Sequence, residues 1–301
     1  MRIGVVGAGK VGSAVSLLLK DAGYAMAGVA SRSRESAERL ASRLGCPVLP
    51  AAEVSRRSDC LLITTPDDAI PEVVAAIARE GAFREGEFVV HMSGALTSEA
   101  LKPAALQGAI TLAVHPIQSF ADVEKAMKLL PGSYFSIEGD ERGYGFARKL
   151  VEDLGGHSFI LDSDKKALYH AAAVVACNYL VGLFACSMRL LGAAGVPEEI
   201  GLPAFLPLIT GTFENIQKLG IPGALTGPIA RGDSGTVRKH LSALEGMPLE
   251  QAVYASLGLV TVDVALAKGM ISAAKAEELR SLLRGAARDL GWSTGEGSVG
   301  R

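Results

Sequence analysis

Lys166, His170 and Asn178 stand in DSDKKALYHAAAVVACNYLVGLFACSM, a stretch that is otherwise almost wholly apolar. On a helix, residues four apart face the same way, and each such step drifts by about 40° at 3.6 residues per turn. Lys166, His170, Val174 and Asn178 would therefore form one row lining a groove. A lysine beside apolar surface has a lowered pKa and can donate or accept a proton near neutral pH; an imidazole does so at its ordinary pKa. Lys166 and His170 are thus alternative proton carriers, Asn178 could orient a substrate, and Lys165 reads as a solvated first-turn residue.

A second constellation is the loop GVVGAGKVGSAV, with Gly7, Gly9 and Gly12 in the spacing G-x-G-x-x-G. It follows an apolar β-branched run and opens a helix, the context in which such glycines bind a dinucleotide. Gly7 would make the tight turn, Gly9 would admit the pyrophosphate, and Gly12 would let helix and strand approach. Ala8, Lys10 and Val11 complete the loop, whose helix N-terminus offers free N–H groups to phosphate. The second strand ends in GVASRSRESAERL. It lacks the carboxylate that holds an adenosine ribose in NAD sites. Ser31, Arg32 and Ser33 instead suit a 2′-phosphate, so NADP is the expected cofactor, with Arg32 the first choice for that contact.

Ligands of open α/β sheets sit at the carboxyl ends of the strands. ITTPDDAI places Thr64, Thr65 and Pro66 there, close to the nicotinamide half; Asp67 or Asp68 would cap the next helix. VVHMSGALTSEAL places His91, Ser93 and Gly94 there, and AVHPIQSF places His115, Pro116 and Gln118. Histidines on neighbouring strand ends raise the odds that one is functional; His115 is assigned to substrate orientation. Further on, LTGPIARGDSGTVRKHL brackets Arg231 with glycines, an arrangement suited to bidentate capture of an acidic group. Asp233 is placed to cap the next helix, on which Thr236 and His240 share a face. These four are the candidate substrate-binding residues.

Positioning these groups requires particular elements. Strands are expected at Arg2–Val6, Ala25–Ala30, Cys60–Thr64, Glu87–His91, Ile110–Val114, Tyr134–Ile137 and Ser158–Leu161, with helices between them. That rhythm implies a mostly parallel sheet with helices on both faces. After Asp162 strand signals cease. Helical periodicity runs through Asp164–Ala194, Pro197–Leu219, Gly235–Leu244, Pro248–Lys268 and Ser272–Leu290, and the Gly/Ser-rich tail Trp292–Arg301 is expected to fray. Two domains follow: a Rossmann-type domain over 1–162 and an all-helical substrate and dimerisation domain over 163–301.

The bulk composition excludes several classes. With Lys+Arg at 30 and Asp+Glu at 32, the net charge of −2 gives no basic excess for nucleic acid or an anionic membrane. Cys46, Cys60, Cys177 and Cys186 include no CxxC pair, and read as buried free thiols of a reduced, cytoplasmic protein, with no metal site. Ala171–Met188 approaches the roughly 18 residues of a membrane span. Its mid-span Asn178 and its alanines and cysteines favour a buried helix instead.

Together GAGKVG, HPIQSF, KALYHAAAVVACNYLVGL and TGPIARGD give the chain, over nearly its whole length, a family resemblance. It resembles the superfamily of 6-phosphogluconate dehydrogenase, β-hydroxyacid dehydrogenases, ketopantoate reductase and pyrroline-5-carboxylate reductase. It is most similar to a branch of Rossmann-like candidate NADP oxidoreductases with a helical C-terminal domain of unknown function. The resemblance implies hydride transfer between NADP and a small carbonyl, imine or hydroxy compound bound in an interdomain cleft. It also implies a catalytic lysine at the start of the first long helix, here Lys166, and a homodimer formed through the helical domain. The β-hydroxyacid dehydrogenases keep an asparagine four residues after that lysine; this chain has His170. Two other readings stay open from the residues: an NADP-binding sensor without catalysis, and reduction of a deazaflavin coenzyme by NADPH.

Overall fold

Short aliphatic runs in the first half of the chain become the strands of one sheet: β1 (Arg2–Val6), β2 (Ala25–Ala30), β3 (Cys60–Ile63), β4 (Phe88–His91), β5 (Ile110–Pro116), β6 (Tyr134–Gly139) and β7 (His157–Ile160). Their order is β2-β1-β3-β4-β5-β6-β7. The first five pair in parallel, β6 is antiparallel to β5, and β7 is parallel to β6. A computed structural model describes residues 1–288 of the chain. The expected tail Trp292–Arg301 and the end of the expected Ser272–Leu290 helix lie outside the described residues.

Helices α1 (Lys10–Asp21), α2 (Arg34–Leu44), α3 (Ala51–Arg57), α4 (Ile70–Arg79), α5 (Lys102–Ala105), α6 (Val123–Leu129) and α7 (Tyr144–Asp153) connect the strands. The short α3, α5 and α6 were not expected, because runs of four to seven residues carry too little period to be read. Local chemistry still sets the ends of some helices. Ser33 caps α2 by accepting the Ser36 N–H at 3.3 Å, and Asp122 caps α6 by accepting the Lys125 N–H at 3.0 Å. All four residues of β3 are fully buried, as a strand covered on both faces requires. One core holds Val5, Val15, Leu62, Val114 and Phe135; a second holds Leu61, Ile63, Ile70, Val74 and Val89.

Two compact units make up the chain, Met1–Leu180 and the part from Val181 onward. The first also contains α8 (Lys166–Ala176). Cys177, at φ −118° and ψ −64°, separates α8 from α9 (Asn178–Ala193), so the expected single helix Asp164–Ala194 is two. The second unit continues with α10 (Glu198–Ala224), α11 (Ser234–Ala243), α12 (Pro248–Ala267) and α13 (Ala273–Arg288). Gly220, at φ 70° and ψ 170°, breaks α10 one residue beyond the expected end at Leu219. Val237, Val262, Leu279 and Leu283 form this unit's core. Gly258 lets α12 and α13 come close, since a side chain there would begin 2.8 Å from Leu283 Cδ2.

The expectation that the apolar Ala171–Met188 run is buried is corrected within the single chain. The run Ser163–Ala193 has a mean hydropathy of 1.8, and 6% of its most apolar window is buried. By length and composition alone it and Pro248–Ala267 could each cross a membrane. Leu168 and Val175 on α8, and Leu208, Leu219 and Ile221 on α10, stand in solvent.

Candidate active site

The glycine loop joins β1 to α1, and its three glycines have different reasons. Gly7 adopts φ 113°, and a side chain there would begin 2.5 Å from the Thr64 carbonyl carbon. The Thr64 hydroxyl donates to the Gly7 carbonyl at 2.7 Å, tying the β1 and β3 loops together. A side chain on Gly12 would begin 2.2 Å from that carbonyl oxygen and 2.3 Å from Thr64 Oγ1. Gly9 has an ordinary φ of −78°, and a side chain there would meet nothing within 4 Å. Neither backbone nor packing demands glycine at that place. The space left open lies at the N-terminus of α1, where no side chain caps the first-turn N–H groups. Those features fit a pyrophosphate.

Ala8, Gly9 and Lys10 border a cleft of about 210 Å³ whose far wall is Ser36, Arg39, Leu40 and Arg43 of α2. Arg39 and Arg43 escaped the sequence reading; their spacing from Ser36 along one helix face was the signal that could have found them. Val11 and Ser31 are half-buried, Arg32 and Ser33 are exposed, and Ser33 also serves as the α2 cap.

Strands β3, β4 and β5 end together on the same edge of the sheet as this loop. Thr65 is half-buried with an unpartnered hydroxyl, and Pro66 is exposed. The helical caps expected of Asp67 or Asp68 are not formed: Pro66 and Ala69 hold the cap positions. Asp67 instead accepts the Ser93 hydroxyl at 2.7 Å, while Ser93 Oγ takes the N–H groups of Ala95 and Leu96. His91 is fully buried and committed to structure. Its Nδ1 accepts the Ser93 N–H at 3.2 Å, and its Nε2 lies 3.0 Å from the Thr97 carbonyl. Burial first, and the Lys166 charge second, pull its pKa down to about 4.

The Lys166 side chain is sealed from solvent. Its Nζ lies 3.7 Å from Glu138 Oε2 and makes no hydrogen bond among the described residues. Glu138, on β6, also accepts the Ser98 hydroxyl at 2.7 Å and the Ser98 N–H at 2.8 Å. Burial lowers the Lys166 pKa to about 8 against the pull of the Glu138 carboxylate. The sequence offered no sign of Glu138, because its nearness to Lys166 depends on how α8 lies against β6.

His115 and His170 meet over Gly94. A side chain on Gly94 would begin 2.4 Å from His170 Nδ1 and 2.8 Å from His115 Nε2. The two rings are edge-to-face at 5.8 Å between centroids. His115 Nδ1 lies 2.7 Å from the Tyr169 hydroxyl, whereas His170 Nδ1 has no partner among the described residues. Burial, then the Lys166 charge, pull the His115 pKa down to about 4, so its imidazole is neutral at pH 7. This half-buried pair and the sealed lysine make a polar cluster that can hold and move a proton.

Asn178, in the same unit, stays outside that cluster. The break at Cys177 interrupts the row from Lys166, and Asn178 is exposed. Asp233 is the α11 cap, accepting the Thr236 N–H at 2.9 Å and the Thr236 hydroxyl at 2.7 Å. Arg231 is exposed. His240 Nδ1 lies 2.9 Å from the Tyr254 hydroxyl, beside an apolar cavity of about 350 Å³ within the second unit. No group of His, Cys, Asp and Glu that could hold a metal occurs among the described residues.

Comparison with known proteins agrees with this architecture. Residues 1–116 match a Rossmann-like domain, and residues 133–261 match a domain of unknown function, DUF2520. No curated protein matches the chain. Among solved structures, protein TM1727 of Thermotoga maritima is 28% identical, with a TM-score of 0.71 over 89% of this chain and 99% of that one. A candidate NADP oxidoreductase, BF3122 of Bacteroides fragilis, is 24% identical, with a TM-score of 0.66 over 88% and 97%. A reductive aminase of Aspergillus terreus, solved with NADPH and ethyl-5-oxohexanoate, is 15% identical, with a TM-score of 0.57 over 96% and 94%. The chain thus joins a match to a Rossmann-like domain with a match to a DUF2520 domain, in a fold shared with these solved structures.

Proposed function

We propose that this chain is an NADP-dependent oxidoreductase acting on a small carbonyl, imine or hydroxy compound. The observation that carries the reading is the proton-handling cluster of Lys166, His115 and His170 on the sheet edge that also bears the glycine loop. The bound nicotinamide would supply or accept hydride. Gly7, Gly9, Gly12 and the α1 N-terminus would hold its pyrophosphate, and Lys10, Ser31, Arg32 and Arg39 its 2′-phosphate. Ser93, Gly94, Thr64 and Thr65 would border the nicotinamide half.

Within this reading the cluster divides its labour by exposure. Lys166 is sealed and paired with Glu138, so its charge sets the field in which the imidazoles work. His115 and His170 are half-buried. Purified protein should bind NADPH and oxidise it with members of a carbonyl and imine panel. A Lys166→Ala, His170→Ala double variant that bound NADPH and turned over as fast as the parent would sink the assignment; binding without turnover by the parent would favour a sensor.

The same proposal includes a cytoplasmic homodimer. Leu168, Val175 and Val181 are 60–73% exposed on α8 and α9, an apolar surface that a lone soluble chain rarely leaves open. A second copy offers the same surface, as a two-fold interface needs. Sedimentation velocity should give twice the mass of the 31.2 kDa chain; a monomer at micromolar concentration would count against the dimer.

A further inference from the structure

His115 is held at one ring nitrogen and open at the other. Nδ1 is 2.7 Å from the Tyr169 hydroxyl, with the two rings edge-to-face at 5.6 Å. Nε2 turns toward Gly94, on the side where the unpartnered His170 Nδ1 also points. Behind the phenol stands Ser136, which lies directly opposite His115 in the β5–β6 register and is fully buried.

A neutral imidazole carries one N–H, and the partner of the other nitrogen decides where it is. A phenol is a far stronger acid than an imidazole N–H. An imidazole nitrogen is in turn a far stronger base than a phenolic oxygen. Between His115 and Tyr169 the favoured arrangement is therefore O–H···N, with the hydrogen on the phenol. The Ser136 hydroxyl is buried and has no hydrogen-bond partner among the described residues, so the Tyr169 hydrogen is not claimed from that side.

We propose that Tyr169 is a positioning residue that fixes His115 as the Nε2–H tautomer, and that this N–H donates to the carbonyl oxygen or imine nitrogen of the substrate. The functional half rests on the oxidoreductase reading above. As hydride reaches the substrate carbon, the Nε2–H bond breaks and an O–H or N–H bond forms on the substrate. At Nδ1 a new N–H bond forms while the Tyr169 O–H bond breaks. The imidazole is neutral before and after, and the phenolate regains its proton from water. No imidazolium is needed on the buried His115; burial also raises the Tyr169 pKa, so water must return the phenol's proton as it leaves.

The test has two readouts. Protein labelled with 15N at histidine carries five imidazoles, and the His115 signals are found by their loss in His115→Asn. Long-range 1H–15N correlation at pH 7 should show a protonated Nε2 and a bare Nδ1. Tyr169→Phe should move both nitrogens toward a mixture of tautomers. A protonated Nδ1 in the parent, or unchanged shifts in a folded Tyr169→Phe, overturns the positioning role; the parent spectrum decides even if the variant does not fold. In turnover, Tyr169→Phe should lower kcat about tenfold, the worth of one net hydrogen bond, with KM unchanged. His115→Asn should lower kcat by about 10²-fold or more; a His115→Asn protein with the parent kcat overturns the donor role. Absence of any NADPH turnover in the parent would remove the oxidoreductase reading while leaving the tautomer result standing.

Discussion

Gly94→Ala isolates the geometry on which the site depends. Gly94 lies outside the left-handed region, so alanine is tolerated by its backbone, and the stiffer unfolded chain alone would stabilise by about 0.4–1 kcal/mol. The added methyl would begin 2.4 Å from His170 Nδ1, 2.8 Å from His170 Cε1 and 2.8 Å from His115 Nε2. Reaching ordinary contact requires His170 to retreat by roughly 1 Å, and overpacking of that kind costs about 1–3 kcal/mol. The net expectation is a loss of about 1–2 kcal/mol. A displacement of about 1 Å in groups that meet the substrate can cost about 10²-fold in rate. The assay is a double-mutant cycle: urea unfolding, followed by circular dichroism, of the parent, Gly94→Ala, His170→Ala and both together. In the His170→Ala background two of the three short contacts vanish, so the alanine penalty should fall by about 1 kcal/mol. A Gly94→Ala protein as stable as the parent, with no coupling to His170→Ala, would falsify the placement of the imidazoles over Gly94.

Three further outcomes are expected. Lys166 has a folded-state pKa of about 8, below the ordinary lysine value. Its protonated form therefore costs stability in full below pH 8, and the cost fades as pH rises toward about 10.5. Unfolding free energy measured from pH 7 to 10 should rise with pH more steeply in the parent than in Lys166→Met. Gly12→Ala drives a methyl into the Gly7 carbonyl and Thr64 Oγ1; melting should drop by several degrees, about 1–3 kcal/mol of overpacking, and NADPH binding by calorimetry should be lost. Arg32→Glu should weaken NADPH binding by about 10-fold or more while sparing NADH, one charge-assisted contact being worth about 1.5–3 kcal/mol; equal effects on both cofactors would move the 2′-phosphate to Arg39 and Lys10.

Much of the fold is local in origin, and so was legible. β1 and β2 fall on the expected residues, and most other expected ends shift by two residues or fewer, α10 running on to Ala224 past the expected Leu219, because apolar runs and glycine turns act within a few residues. The site was legible only in its parts. Lys166 and His170 are neighbours in the helical period, but the period says nothing about which face of α8 is sealed. Asn178 belonged to the same row until a backbone distortion at Cys177 broke it.

The sequence by itself determined that a strand, three spaced glycines and a helix would form a phosphate loop, and that histidines would stand at neighbouring strand ends. These follow from backbone sterics and from the fixed direction of parallel strands. Only the tertiary structure decided that Glu138 meets Lys166, that Ser136 and Tyr169 stand behind His115, and that Gly94 leaves the gap where two imidazoles converge. Those contacts depend on the register of β6 against β5 and on how α8 lies over the strand ends. Register and docking are set by the packing of residues far apart in the chain, which no local period records.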